Sequence, residues 1–231
     1  MKILGVDSSA TAASAAIMAD GKLLAVQYTN TGLTHSQTLM TLIDNAFKLA
    51  KLTPADIDLF AVSNGPGSFT GIRIGVAAVK GLAQPLNKKC FGVSTLEVIA
   101  KPLECSGVYA VAAMDARCNQ VYTAQFDCKN GKMTRVTPDS AITLDELLSQ
   151  LKGVNKPIVL IGDGAALCYE KFKDELPDVT LAPAGLRYQN ASSVAVCACG
   201  ANESDFVDAS ELLPCYLRVS QAERELKKKQ S

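Results

Sequence analysis

Apolar positions in the first hundred residues change period several times, and each change marks an element. Ile3 to Asp7 is a short apolar run that reads as a strand. Ser14 to Met18 follows a small-residue turn, Asp20-Gly21 is a hairpin signal, and Leu23 to Tyr28 reads as the returning strand. The period then becomes helical. Thr34 is placed to cap a helix in which Leu39, Leu42, Ile43, Ala46 and Ala50 fall on one face, and Thr53-Pro54 ends it. Leu59 to Ser63 predicts a buried strand, Asn64-Gly65-Pro66-Gly67 a turn, and Ser68 to Leu82 a second helix. Cys90 to Val93 is a fifth strand, and Ser94-Thr95 starts a third helix.

The order βββαβαβα then partly repeats. Val108 to Asp115, Gln120 to Phe126 and Lys132 to Val136 predict three strands, with Asn130-Gly131 at the turn. Thr143 caps a helix from Leu144 to Leu151, and Ile158 to Ile161 is a strand ending in Gly162-Asp163-Gly164 before another helix. Asp7 precedes its hairpin glycine, Gly21, by 14 residues, and Asp115 precedes Gly131 by 16. This spacing predicts a structural duplication with its seam near Lys101 to Gly107. The expected division is a first subdomain at 1–103, a second at 104–213, and a polar, basic segment at 214–231 that frays.

Two tandem βββαβα units resemble the plan of the actin-like ATPase and sugar-kinase superfamily, an α/β class. In that plan the hairpin after each first strand cradles phosphate through backbone N–H groups. Asp7, Ser8 and Ser9 occupy the first such place, and Asp115 and Arg117 the second. Small hydroxyl residues let a backbone approach an anion, and a strand-end Asp can hold a metal through water. The plainer reading is two hairpins in which Asp7 caps local N–H groups. The second loop has no glycine and carries bulky Arg117. Gly162 to Ala165 lies where adenosine packs in that superfamily, yet any strand-to-helix turn can want glycine.

The segment Gly65-Pro66-Gly67-Ser68-Phe69-Thr70-Gly71-Ile72-Arg73-Ile74-Gly75 is the most unusual in the chain. Ile72, Val76, Val79 and Ala83 make one apolar face, while Phe69, Ile74, Ala77 and Ala78 cover much of the rest. A helix apolar nearly all round is buried on two sides. One side is its own sheet; the other is either a neighbouring helix or a second chain. Arg73 is then either a solvated surface residue or one half of an interface ion pair. Gln37, Met40, Thr41 and Asp44 on the preceding helix are placed to share that surface, and Gly71, Gly75 and Ala78 would let a partner backbone come close.

Composition narrows the chemistry. The 231 residues carry 23 Lys+Arg and 23 Asp+Glu, so no basic footprint for holding nucleic acid unaided is present. The start has one Lys and no long apolar region, which argues against a signal peptide, and no apolar run approaches the ~20 residues of a membrane span. The eight cysteines include no C-x-x-C pair and most lie in apolar surroundings, which predicts reduced core residues of a cytosolic protein. The single histidine, His35, disfavours a multi-His metal centre; at a helix start it is more often structural than catalytic. Neither a nucleophile elbow nor a Walker A motif occurs.

Five segments together resemble the bacterial TsaB (YeaZ) family: Ile3-Leu4-Gly5-Val6-Asp7-Ser8-Ser9, His35-Ser36-Gln37-x-Leu39, Gly65 to Gly75, Gly92-Val93-Ser94-Thr95-Leu96-Glu97, and Asp115-Ala116-Arg117. The resemblance spans nearly the whole chain. It implies a degenerate copy of TsaD, the subunit that attaches threonylcarbamoyl to N6 of adenosine 37 in tRNA. It implies pairing with a TsaD-like catalytic subunit, addition of a TsaE-like ATPase, homodimers in isolation, and contact with tRNA only through the complex. Where TsaD carries two metal-binding histidines, this sequence has Thr95 and Ile99, which are a weak ligand and none. The expectation is a noncatalytic cytoplasmic subunit with no cofactor and no metal. The alternative is an independent, kinase-like ATP-using enzyme of the same fold, which needs intact phosphate and adenosine loops and a carboxylate such as Asp7 facing the cleft.

Overall fold

The computed structural model describes residues 1–218; residues 219–231 of the expected frayed segment lie outside the described residues. The chain builds two sheets of the same topology. The first contains β1 (Lys2–Asp7), β2 (Ala13–Ala19), β3 (Lys22–Thr29), β4 (Leu59–Gly65) and β5 (Lys89–Ser94) in the order β3-β2-β1-β4-β5. The second contains β6 (Tyr109–Asp115), β7 (Gln120–Lys129), β8 (Lys132–Arg135), β10 (Ile158–Ile161) and β11 (Val179–Leu181) in the order β8-β7-β6-β10-β11. Each sheet is an antiparallel meander continued by parallel strands, as β1 pairs β2 antiparallel and β4 parallel. The tandem repeat is that of the actin-like ATPase fold. A short extra strand, β9 (Ser140–Thr143), pairs with β7 beside β8.

Strand alternation assigns each sheet face to a different set of helices. In β1, Leu4 and Val6 face the core formed with α1 (His35–Ala50) and α2 (Phe69–Ala83). Ile3 faces the other way, into a cluster with Val194, Ala195 and Ala198 of α6 (Ala191–Cys199). Gly5 shares that side because α6 lies so close: a Cβ there would meet the Ala191 carbonyl oxygen at 2.5 Å. In the second sheet, Val111 and Ala113 pack beneath α4 (Leu144–Leu151) and α5 (Ala165–Phe172). Ala110, Ala112 and Met114 pack against Leu96 and Ile99 of α3 (Thr95–Ala100).

The last helix of each repeat therefore covers the other repeat's sheet. α3 packs on β6 and β7 while its Val98 stays against the first sheet, whereas α6 returns to β1 and β2. This reciprocal exchange welds the halves. It also amends the expected boundaries, since residues 191–199 belong by packing to the first half. Ala209 and Leu212 join the core around α1 and α2 as well, and 214–218 make specific contacts rather than fraying. The sequence pattern did not announce α6, because Ala-Ser-Ser-Val-Ala-Val-Cys-Ala-Cys is small or apolar on nearly every side.

The cysteine expectation divides. Cys90, Cys128 and Cys168 are buried and Cys197 is half-buried, but Cys105, Cys118, Cys199 and Cys215 are exposed in turns, at a helix end or in the C-terminal segment. Burial pushes the Cys168 and Cys197 thiols up to about 12.

Candidate functional site

Two features carry the candidate chemistry: the cleft between the halves and the outer side of α1 and α2. The cleft encloses about 810 Å³. It is bordered by the two hairpin loops, the start of α2, Asp163 and the segment Cys215–Arg218.

The first hairpin loop is closed on itself. Asp7 is buried at the end of β1; its Oδ1 accepts from Ser9 N at 3.0 Å and Ser9 Oγ at 2.8 Å, and its other oxygen accepts from Ser63 Oγ. Burial pushes the Asp7 carboxyl above its usual range, and the serine bonds partly offset this. Ser8 Oγ donates to the Gly71 carbonyl at 2.8 Å, and Ser68 N donates to the Ser9 carbonyl at 2.7 Å. The glycines of the unusual block are shaped to this loop. A Cβ on Gly67 would collide with the Ser9 carbonyl oxygen, one on Gly71 with the Ser8 carbonyl oxygen, and one on Gly75 with Ser8 Oγ at 2.6 Å. Gly71 and Gly75 are thus consumed inside the chain and leave no groove for a partner helix, which corrects the expectation from the sequence. His35 Nε2 lies 2.6 Å from the Ala10 carbonyl, tying the start of α1 to the same loop.

The second loop is more open. Arg117, Cys118 and Asn119 all hold left-handed backbone angles, φ 65°, 55° and 56°. Asp115 Oδ1 accepts from Arg117 N at 2.7 Å, and the Arg117 side chain lies largely in solvent, 3.4 Å from the same carboxylate. Gly162 and Gly164 are required by the close approach of this turn to β6: a Cβ on Gly162 would strike the Ala113 carbonyl oxygen. Between these glycines, Asp163 has one sealed carboxylate oxygen without a hydrogen-bond partner. Its pKa rises to about 6, chiefly through burial, with the Asp115 charge adding to the rise and N–H groups of Asp115 and Gly164 opposing it.

Thr95 and Ile99 are both buried. The two positions where the resemblance places metal-binding histidines therefore offer nothing to a cation from the cleft. Among the described residues, no three His, Cys, Asp or Glu side chains are grouped to hold a metal, and no helix is long and apolar enough to cross a membrane.

On the outer side, α1 and α2 pack side by side on one face of the first sheet. Gln37, Met40, Thr41 and Asp44 are exposed on α1, and Arg73 and Ala77 on α2. Most of the second apolar side of α2 is covered by its own chain, since Ile74, Ala78 and Leu82 pack on the core cluster. What remains outward is a narrow strip of Thr70, Arg73, Ala77 and Gly81. Phe69 is half-buried. Its ring stacks on Tyr216 at 4.4 Å between centroids, and the Arg73 guanidinium lies 3.9 Å above it. No local signal could join Tyr216 to α2, because it lies 143 residues beyond Arg73.

The sequence matches the model of the family described as "TsaD: tRNA N6-adenosine threonylcarbamoyltransferase" over residues 29–225. It is 30% identical over 223 residues to the tRNA threonylcarbamoyladenosine biosynthesis protein TsaB of Bacillus subtilis (strain 168), covering 96% of each chain. A 104-residue stretch is 38% identical to the tRNA N6-adenosine threonylcarbamoyltransferase of Brachyspira hyodysenteriae (strain ATCC 49526 / WA1), covering 38% of this chain and 31% of that one. The solved structure of YeaZ from Pseudomonas aeruginosa superposes with a TM-score of 0.76 at 25% identity, covering 93% of this chain and all of that one (100%). With its duplicated sheets, its closed first loop and this similarity over nearly the full length, the chain belongs to the TsaB (YeaZ) family, a branch of the wider TsaD family.

Proposed function

We propose that this chain is a noncatalytic partner subunit in the formation of N6-threonylcarbamoyladenosine at position 37 of tRNA, activating a TsaD-like catalytic subunit by docking through the outer side of α1 and α2. The observation that carries the noncatalytic reading is the first hairpin loop. The Ser8 and Ser9 hydroxyls, the Ser9 N–H and the Ser9 carbonyl are spent on protein bonds, and the α2 glycines press against the loop, which supports a loop that has turned its polar groups inward rather than toward a phosphate. Asp7 is sealed by the same bonds and does not face the cleft as a catalytic carboxylate would. A kinase-like enzyme of this fold would need that loop open, which disfavours the alternative.

Gln37, Met40, Thr41 and Asp44 with Phe69, Arg73 and Ala77 form the docking face. The catalytic subunit presents the related face, because the family match extends across α1 and α2. The same face supports homodimers when the chain is alone, so the two associations compete. A TsaE-like ATPase joins the pair, tRNA is contacted through the complex, and the complex works in the cytoplasm without a membrane.

The test is co-purification with the organism's TsaD-like subunit and a tRNA-modification assay omitting each component in turn. Modification that proceeds at full rate without this chain overturns the reading. Ala77→Arg probes the face itself, since Ala77 is exposed and an Arg there is expected to leave the free chain folded. Burying its unpaired charge costs about 2–5 kcal/mol and weakens the heterodimer ~30-fold or more.

A further inference from the structure

We infer that the docking face has a third element, the segment Leu213–Tyr216, with Tyr216 as its aromatic anchor; this rests on the partner-subunit reading above. The segment runs along the flank of α2. Near the helix end, Lys80 Nζ donates to the Ser210 and Leu212 carbonyls at 3.0 and 3.1 Å. Farther along, Asn64 Nδ2 donates to the Leu213 carbonyl at 3.1 Å, and Cys215 N donates to the Asn64 carbonyl at 2.7 Å. Gly65 is glycine because a Cβ there would collide with the Cys215 carbonyl oxygen. The chain then reaches the start of α2, where Arg73 Nε donates to Tyr216 Oη at 2.8 Å above the Phe69–Tyr216 stack.

These contacts fix the segment to α2 yet leave its large apolar groups exposed, with Phe69, Arg73 and Tyr216 where the start of α2 borders the cleft. Leu213 is 66% exposed and Tyr216 39%. The α2 strip between α1 and this segment offers only Thr70, Arg73, Ala77 and Gly81, so it lacks a large apolar anchor of its own. Stable interfaces concentrate their binding energy in a few aromatic and Arg residues set among small contacts. The Phe69–Arg73–Tyr216 stack is such a group, already ordered in the free chain, so little side-chain entropy remains to be lost on binding. Arg73 has only Nε engaged by Tyr216, and among the described residues no carboxylate pairs with it. The partner that fits is a chain of the same fold, here the TsaD-like subunit, with an acceptor for the guanidinium edge of Arg73 that Tyr216 does not engage.

The segment also connects the face to the cleft. Two residues past Tyr216, Arg218 Nη1 donates to the Ala116 carbonyl at 2.8 Å, in the second hairpin loop. A partner that clamps Tyr216 therefore holds Arg218 on that loop.

The test uses the full-length chain and the full-length TsaD-like subunit, with binding measured by calorimetry for Tyr216→Ala, Tyr216→Phe and Ala77→Arg. Tyr216→Ala is expected to weaken binding ~10-fold or more. Tyr216→Phe, which keeps the ring stack, is expected to lose less. The thermal midpoint of each variant checks folding. Amide exchange across 213–218 and 115–119 is expected to slow when the subunit is added. If Ala77→Arg abolishes binding while Tyr216→Ala leaves it unchanged, or if exchange at 213–218 is unaffected by the subunit, the third element is overturned and the α1–α2 face stands. If Ala77→Arg binds normally, the face itself is wrong.

Discussion

Replacing Asp163 with Asn is expected to stabilise this protein at neutral pH and to do nothing at pH 4. The carboxyl sits in the Gly162–Gly164 turn with one oxygen sealed and unpartnered. Its pKa is raised to about 6 from 3.8, mainly because burial disfavours the charged form. The sign follows directly. A carboxyl that binds its proton more tightly when folded favours the fold while protonated, so stability is highest below about pH 4, falls as pH rises toward 6, and is flat above that as far as this group is concerned. A displacement of about two pKa units at about 1.4 kcal/mol each bounds the loss at ~3 kcal/mol. Partial solvent access at the cleft brings the expected value to about 1–2 kcal/mol. Asn keeps an acceptor for the Asp115 backbone N–H and carries no charge. The assay is urea unfolding of both proteins at half-unit steps from pH 4 to pH 8, read by circular dichroism, with the difference between them plotted so that other carboxylates cancel. A difference near zero at pH 4 that grows to about 1–2 kcal/mol by pH 7 is the expected curve. A variant less stable than the parent at pH 7 refutes the reasoning, because the ionised carboxylate would then be gaining more from its N–H neighbours than burial costs it.

Gly71→Ala should destabilise the free chain by about 1–3 kcal/mol in the same unfolding assay, because its Cβ meets the Ser8 carbonyl and neither backbone can yield cheaply; an unchanged midpoint would mean that the first loop is looser than described. Alkylation of the native protein followed by mass spectrometry should label Cys105, Cys118, Cys199 and Cys215 first and reach Cys90, Cys128 and Cys168 only after unfolding. Calorimetry with ATP should detect no micromolar binding by the isolated chain, and steady-state hydrolysis should stay well below the order of 1 per second of an ordinary enzyme; tight binding would restore the kinase-like alternative.

The duplication was legible because it rests on local signals. Asp7 and Asp115 end first strands, Gly21 and Gly131 turn hairpins, and Thr143 caps its helix, with Glu146 completing a capping box in the structure. Hydrophobic period and turn chemistry act over a few residues, so a sequence displays them openly. The family resemblance was legible for a related reason, since the Gly65–Gly75 block combines residues that few environments tolerate together.

What the sequence could not display was which elements meet across long separations. The α2 helix was recognisable as apolar on two sides, yet only the fold decided that Ile74 and Ala78 are covered by its own core while Arg73 and Ala77 remain outside. Gly71 and Gly75 read from the sequence as room for a partner backbone, and the close approach of the first loop makes them a seat for Ser8 instead. The exchange of α3 and α6 between sheets leaves no periodic trace, because a helix buried on every side has no polar stripe. Tyr216 could have been assigned to α2 by no local rule, since its stack with Phe69 exists only once β4, α2 and the C-terminal segment have been brought together by packing. The sequence by itself determined most of the elements, their duplication and their family, but not β9, β11 or α6. The tertiary structure decided which glycines serve the fold, which apolar faces stay open, and which distant residues complete the surface.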